Sequence, residues 1–149
     1  MKKYICITLV TLVVFAITNK VEGKNNIDLS EYIWKNRLLL LFTPSPRELG
    51  YLQVNGNLPK QKEELRDRDL LVVHIVKRAK IISGSSRLSE SSGHYLREKF
   101  SIKSGTFTVL LIGKDGGVKL RREGRVELAE VFSLIDSMPM RQREKRQKS

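Results

Sequence analysis

Residues 106–122 read TFTVLLIGKDGGVKLRR. Two β-prone runs flank an Asp-Gly pair. That pattern predicts a hairpin, because glycine supplies the positive φ of a tight turn. The reading is a strand over 106–112, a turn at 115–117 and a strand over 118–122. The glycines and lysine of 113–117 do not make a phosphate loop. They lack the GxxxxGK[ST] spacing and join strand to strand, not strand to helix.

The hairpin decides the fold because the strands before it are of another kind. RLLLLF (37–42) is a continuous apolar run closed by Pro44, and DLLVVHIV (69–76) is a second such run. Unbroken apolar strands are buried on both faces, as parallel strands are. Between them the sequence predicts a helix over 46–53, a break at NGN (55–57), and a second helix from Leu58 to Arg66. Asn57 is the expected cap of that second helix, with Pro59 in its first turn. IDLSEYIWKN (27–36) reads as a short helix capped by Asp28 or Ser30, with Ile33 and Trp34 as apolar surface. The Ser- and Gly-rich stretch 77–93 reads as a loop, and HYLREKFSI (94–102) as a short helix. VELAEVFSLIDSM (126–138) carries an apolar face at helical spacing and is closed by Pro139.

The order is strand, helix, strand, helix, strand, strand, helix. With a right-handed crossover it gives a four-stranded mixed sheet with helices on both faces. This is the thioredoxin-like α/β arrangement, in the order β-α-β-α-β-β-α.

The flanks add organisation. Residues 1–23 carry Lys2 and Lys3, then an apolar run from Tyr4 to Thr18, then Val21 and Gly23 as small residues. That is a secretory signal pattern, with cleavage expected after Gly23 and an uncleaved anchor as the alternative. The chain is therefore expected to be exported, periplasmic or secreted. Its single cysteine, Cys6, lies inside this segment, so the exported chain has no thiol for disulfides, metal binding or catalysis. Residues 24–140 suit one domain, and 141–149 read as a basic, disordered tail. Formal net charge is +12. Removing 1–23 takes away three lysines and Glu22, leaving 25 basic against 15 acidic residues, or +10.

The blocks LSEYIWKNRLLLLF, LRDRDLLVVHIV, FTVLLIGKDGGVKLR and ELAEVFSLIDSMPMR resemble the bacterial domain-of-unknown-function family 4174. The resemblance covers roughly residues 27–143. It extends to domains of animal coiled-coil domain-containing protein 80 and the sushi-repeat-containing proteins. RDRDL, VLLIGKDGGVKLR and DSMPMR are specific in combination. The resemblance implies a thioredoxin-like fold nearer to peroxiredoxins than to thioredoxin. It implies no established reaction, and its animal members suggest adhesion and matrix binding. A peroxiredoxin places a Thr four residues and a Cys seven residues after its proline. Counted from Pro44, those positions hold Glu48 and Tyr51. The cis-proline position of thioredoxins, before the third strand, holds Phe107. The resemblance thus supports the fold and denies the thiol chemistry.

Three sets of residues are candidates. Thr43, Ser45 and Arg47 follow the first strand, where open α/β sheets bind ligands and where a helix N-terminus would favour an anion. The plainer reading is that Thr43 or Ser45 caps a helix. Lys119, Arg121, Arg122 and Arg125, with Arg141, Arg143, Lys145 and Arg146 of the tail, form a candidate polyanion surface. His74 reads as a core histidine and His94 as a surface one. Together they are two ligands short of a closed zinc site, so neither metal nor cofactor is expected. RDRD (66–69) reads as local ion pairing. The function expected is a binding or envelope-associated module without redox cysteines, for acidic glycan, lipopolysaccharide or an anionic membrane surface. No specific nucleic acid is expected. The competing expectation is a non-thiol enzyme using the Thr43/Ser45/Arg47 loop.

Overall fold

The structure, a computed structural model, describes residues 27–76, 81–83, 86–88 and 90–148. The expected signal segment and its cleavage point lie outside them. Strand β1 (Arg37–Thr43) is buried at all seven positions and runs through the middle of the sheet. It pairs in parallel with β2 (Leu70–Val76) on one side and antiparallel with β5 (Thr108–Ile112) on the other. Strand β6 (Val118–Glu123) pairs with β5 across the DGG turn. Gly116 at that turn has φ +79, as the Asp-Gly signal requires. The expected four-stranded mixed sheet is thus present in the order β2-β1-β5-β6.

Two short strands, β3 (Ile81–Ser83) and β4 (Ser86–Leu88), extend the sheet beyond β2. They fall in the stretch expected to be a loop. Sheet pairing of three-residue strands leaves no periodic signal in a Ser- and Gly-rich sequence.

The period-2 alternation of β1 divides the interior into two cores. Leu39 and Leu41 join Val109 and Leu111 under helices α1 (Leu49–Asn57) and α4 (Leu128–Ser137), which contribute Tyr51, Val54, Val131 and Ile135. Leu38, Leu40 and Phe42 join Val73, Ile75, Leu110 and Ile112 on the other face. There they meet Ile27 and, from helix α3 (Glu90–Lys99), Leu96.

Several boundaries differ from expectation. The opening helix is a single 3-10 turn, Leu29–Tyr32, capped by Asp28, whose Oδ1 accepts from Ser30 N at 2.9 Å. Trp34 follows it with φ 64, which ends helical geometry, and its side chain faces solvent instead of the core. NGN does not break α1. Asn57 turns its side chain back onto the Gln53 carbonyl (3.0 Å) and caps nothing downstream. A 3-10 turn, Leu58–Gln61, with Pro59 in its first positions, leads into helix α2 (Lys62–Asp67). Helix α3 begins at Glu90, four residues before the expected start at His94.

The largest correction concerns the C-terminus. Instead of a disordered tail, Pro139–Lys148 forms helix α5. Pro139 stands at its first residue, where a missing N–H is harmless, after extended backbone at Met138. The physical reason for its order is ionic, and it lies at the far end of the sheet from the expected site.

Candidate functional site

The carboxyl end of β1 is occupied by the protein itself. Thr43 is fully buried. Its hydroxyl donates to Ser45 O (2.6 Å) and accepts from Ser45 N (3.3 Å), while Ser45 Oγ accepts from Arg47 N (3.1 Å). Both hydroxyls therefore build the turn, and Thr43 does not face a ligand. Neither hydroxyl is the side-chain cap of α1. That role falls to Glu48, whose Oε2 accepts from Tyr51 N at 2.7 Å. A carboxylate already sits where an incoming anion would, so the helix end repels the ligand class expected of it. Arg47 is exposed at the rim.

Tyr51, at the position counted for a peroxidatic cysteine, is buried between His74 and Phe107, both edge-on to its ring. Its hydroxyl lies 3.1 Å from His74 Nδ1. Burial raises the tyrosine pKa and lowers that of the histidine, so it favours the neutral form of both, and the tautomer of the imidazole sets which of the two donates. His74 is thus half-buried on β2 instead of sealed in the core, with one ring nitrogen hydrogen-bonded. A β-carbon on Gly50 would stand 2.8 Å from the Phe107 ring, which fixes how closely α1 packs. Arg97 of α3 completes the closure. Its Nη2 donates to the carbonyls of Thr43 (3.1 Å) and Ile75 (2.8 Å), tying the ends of β1 and β2 together. The sequence carries no signal for Arg97, because its reach depends on α3 crossing both strand ends.

The opposite end of the sheet holds the most concentrated electrostatics. Arg37 opens β1 and is 1% exposed. Its guanidinium donates to Arg68 O (2.8 Å) and to both oxygens of Glu144 (3.2 Å each) on α5. Lys114 of the hairpin bridges Asp69 and Glu144, at 2.8 Å each. Arg68 binds Glu64 (2.5 Å) and Asp136 (2.7 Å) and lies over the Phe132 ring. Arg141, also 1% exposed, grips Asp67 and Asp136. Burial alone would raise the carboxyl pKa values of Asp136 and Glu144. Hydrogen bonds from Arg68 and Arg141 to the one, and from Lys114 and Arg37 to the other, outweigh it and hold both below the usual range. In RDRD both arginines pair locally, Arg66 with Glu63 (2.7 Å) and Arg68 with Glu64. Asp67, Arg68 and Asp69 all reach distant elements.

This network disperses the expected polyanion set. Arg141 is sealed inside it, and Lys145 leans on Asp136 at 3.3 Å. Lys119 pairs with Asp115, Arg122 with Glu130, and Arg125 with Glu127. Arg121 caps the end of α3 through the carbonyls of Phe100 and Ser101. Arg143 and Arg146 stand on the exposed side of α5. His94 is at the surface, 3.4 Å from Glu98.

The profile of a family described as "Domain of unknown function (DUF4174)" matches residues 28–144. The chain belongs to this family. Among relatives of the DUF4174 chain are coiled-coil domain-containing protein 80 of Danio rerio and sushi repeat-containing protein SRPX of Rattus norvegicus. The first is 30% identical over 132 residues, covering 78% of this chain and 15% of that protein. The second is 30% identical over 119 residues, covering 78% and 26%. The chain therefore spans a small part of these relatives. Among solved structures it is similar to the reduced 2-Cys peroxiredoxin of Plasmodium vivax, with TM-score 0.59, 16% identity, and coverage of 80% of this chain and 85% of that one. It is also similar to a thioredoxin-fold protein of Helicobacter pylori, with TM-score 0.52, 11% identity, and coverage of 77% and 73%. At these identities the likeness shows the fold. The blocks RDRDL, VLLIGKDGGVKLR and DSMPMR meet at the ion network through Arg68, Asp69, Lys114, Asp136 and Arg141, at the opposite end of the sheet from Thr43.

Proposed function

We propose that this protein is an exported thioredoxin-like domain that works without thiol chemistry, as a binding module on an anionic envelope surface. The observation that carries the reading is Tyr51. The scaffold of a peroxidase is kept while the position of its reactive group is filled by a buried, neutral side chain hydrogen-bonded to His74. Export is supported by the Lys2–Lys3 start and the apolar run behind it. The partner chemistry is supported by the charge of +12 over the whole chain and by the exposed Arg143 and Arg146. Acidic glycan, lipopolysaccharide and anionic lipid share that chemistry, which long-range attraction recognises and salt screens. Binding to heparin, lipopolysaccharide and anionic vesicles, followed across a salt series, tests it. Affinity that falls steeply with salt is expected. Affinity that is absent at low salt, or indifferent to salt, overturns the reading.

The competing reading is a non-thiol enzyme at the loop after β1. With Thr43 sealed, it rests on Ser45 and Arg47. Peroxidase or insulin-reduction turnover that disappears in Ser45→Ala or Arg47→Ala would replace the binding module with this enzyme.

A further inference from the structure

Trp34 is the chain's one tryptophan, and it is 67% exposed. Its φ of 64 lies in the left-handed region, which a bulky side chain rarely adopts. The conformation is held from several sides. Trp34 N donates to Lys114 O at 2.6 Å, and the amides of Lys35 and Asn36 donate back to Tyr32 O at 3.0 and 2.9 Å. Ile33 lies against the hairpin turn, where a β-carbon on Gly116 would be 3.2 Å from its Cδ1. The ring is thus carried outward on a fixed backbone. A strained and over-determined residue of this kind motivates a functional reading.

Its surroundings specify the partner. Val118, 49% exposed, opens β6 at the same hairpin. Lys35 is exposed next to Trp34, and Lys119, which follows Val118, is exposed but paired with Asp115 at 2.6 Å. Lys114, which accepts the Trp34 amide, also binds Glu144, and so joins the hairpin to α5 with its exposed Arg143 and Arg146. Apolar tips among cations match the boundary of an anionic bilayer. Indole settles at headgroup depth, and lysine and arginine meet the lipid phosphates. A polysaccharide would engage the cations but gain nothing from Val118.

We propose that this end of the sheet is a membrane-contacting face, with Trp34 entering the headgroup layer of an anionic bilayer. The proposal rests on the binding-module reading and names its partner. The single tryptophan supplies the test. The chain beginning at Lys24 is used, since residues 1–23 would enter vesicles by themselves. Emission is recorded with phosphatidylcholine vesicles, with vesicles containing phosphatidylglycerol, and with heparin. A shift to shorter wavelength is expected only with the anionic vesicles, with quenching by lipids brominated near the headgroup. Trp34→Asn, which tolerates the left-handed backbone, should weaken vesicle co-sedimentation about tenfold without lowering the melting temperature. Co-sedimentation with unshifted emission would overturn the Trp34 proposal and leave the basic-surface reading standing. A shift with heparin and not with vesicles would assign the face to a glycan and overturn the bilayer. No binding to any of the three would remove both.

Discussion

At the scale of single residues, Tyr51 fills the position that a count from Pro44 gives to a reactive cysteine, and its surroundings are not those of a thiolate. A thiolate at this point would need a cation or an open helix N-terminus. Glu48 offers a carboxylate instead, and Arg97 is spent on two strand carbonyls. The substitution itself is readable in the sequence by counting from Pro44. The use of the phenol is not, because His74 stands 23 positions away and meets it only when α1 packs on β2. Tyr51→Phe removes the hydroxyl and leaves the half-buried Nδ1 without this partner. It should cost about 1 kcal/mol in urea unfolding. His74 also sets a pH effect. Its folded pKa is lowered by burial, so the unfolded chain binds the proton more readily. The stability contributed by the neutral ring is full above the ordinary value near 6.5. It is lost as pH falls from there toward the depressed folded value. Unfolding midpoints at pH 7.5 and 5.5 should differ in that direction, and the difference should vanish in a His74 variant that does not titrate.

At the scale of elements, strands β1 and β5 were legible because burial on both faces demands unbroken apolar runs. Strand β2 carries the same kind of run, but it is unevenly buried, with Leu71 37% exposed. Helix α5 was hidden for the complementary reason. MRQREKRQKS has no apolar stripe, and helices are recognised by such stripes. What orders it is a set of ion pairs between groups as far apart as Arg37 and Glu144, separated by 107 positions. Such pairing leaves no local pattern. Glu144→Gln would strand the buried Arg37 guanidinium and weaken its hold on Lys114. A loss of about 3 kcal/mol is expected, whereas a frayed tail would show none. The carboxyls of Asp136 and Glu144 are held below their usual range, so their contribution is complete above the ordinary carboxylate values. It declines as pH falls through the depressed ones. Acid should therefore loosen α5 within that window, and Glu144→Gln should lose part of the acid sensitivity. Hydrogen exchange across 139–148 reads both effects.

At the scale of the molecule, the two ends of the sheet have exchanged the importance that composition assigned them. The order of strands and helices pointed to the carboxyl end of β1, and that end is closed by Thr43, Glu48, Tyr51 and Arg97. The other end gathers RDRD, the hairpin lysine, α5 and Trp34. A sequence shows a basic run as one feature, yet folding divides it into cations that hold the protein together and cations that face outward. Arg141 is of the first kind, and Arg143 and Arg146 are of the second. The division can be measured by comparing Arg141→Gln with the double variant Arg143→Gln/Arg146→Gln, which removes more charge. The double variant should unfold within about 0.5 kcal/mol of the parent, since exposed positions away from packing contacts contribute little. It should bind anionic vesicles more weakly, with a shallower dependence on salt. Arg141→Gln breaks a buried pair with Asp67 and Asp136, so it should lower the unfolding midpoint by several times as much. Any protein that stays folded should keep most of its vesicle affinity. If instead Arg141→Gln weakened binding at unchanged stability, the ion network would itself be the surface that meets the partner, and α5 would have to move for the contact to form.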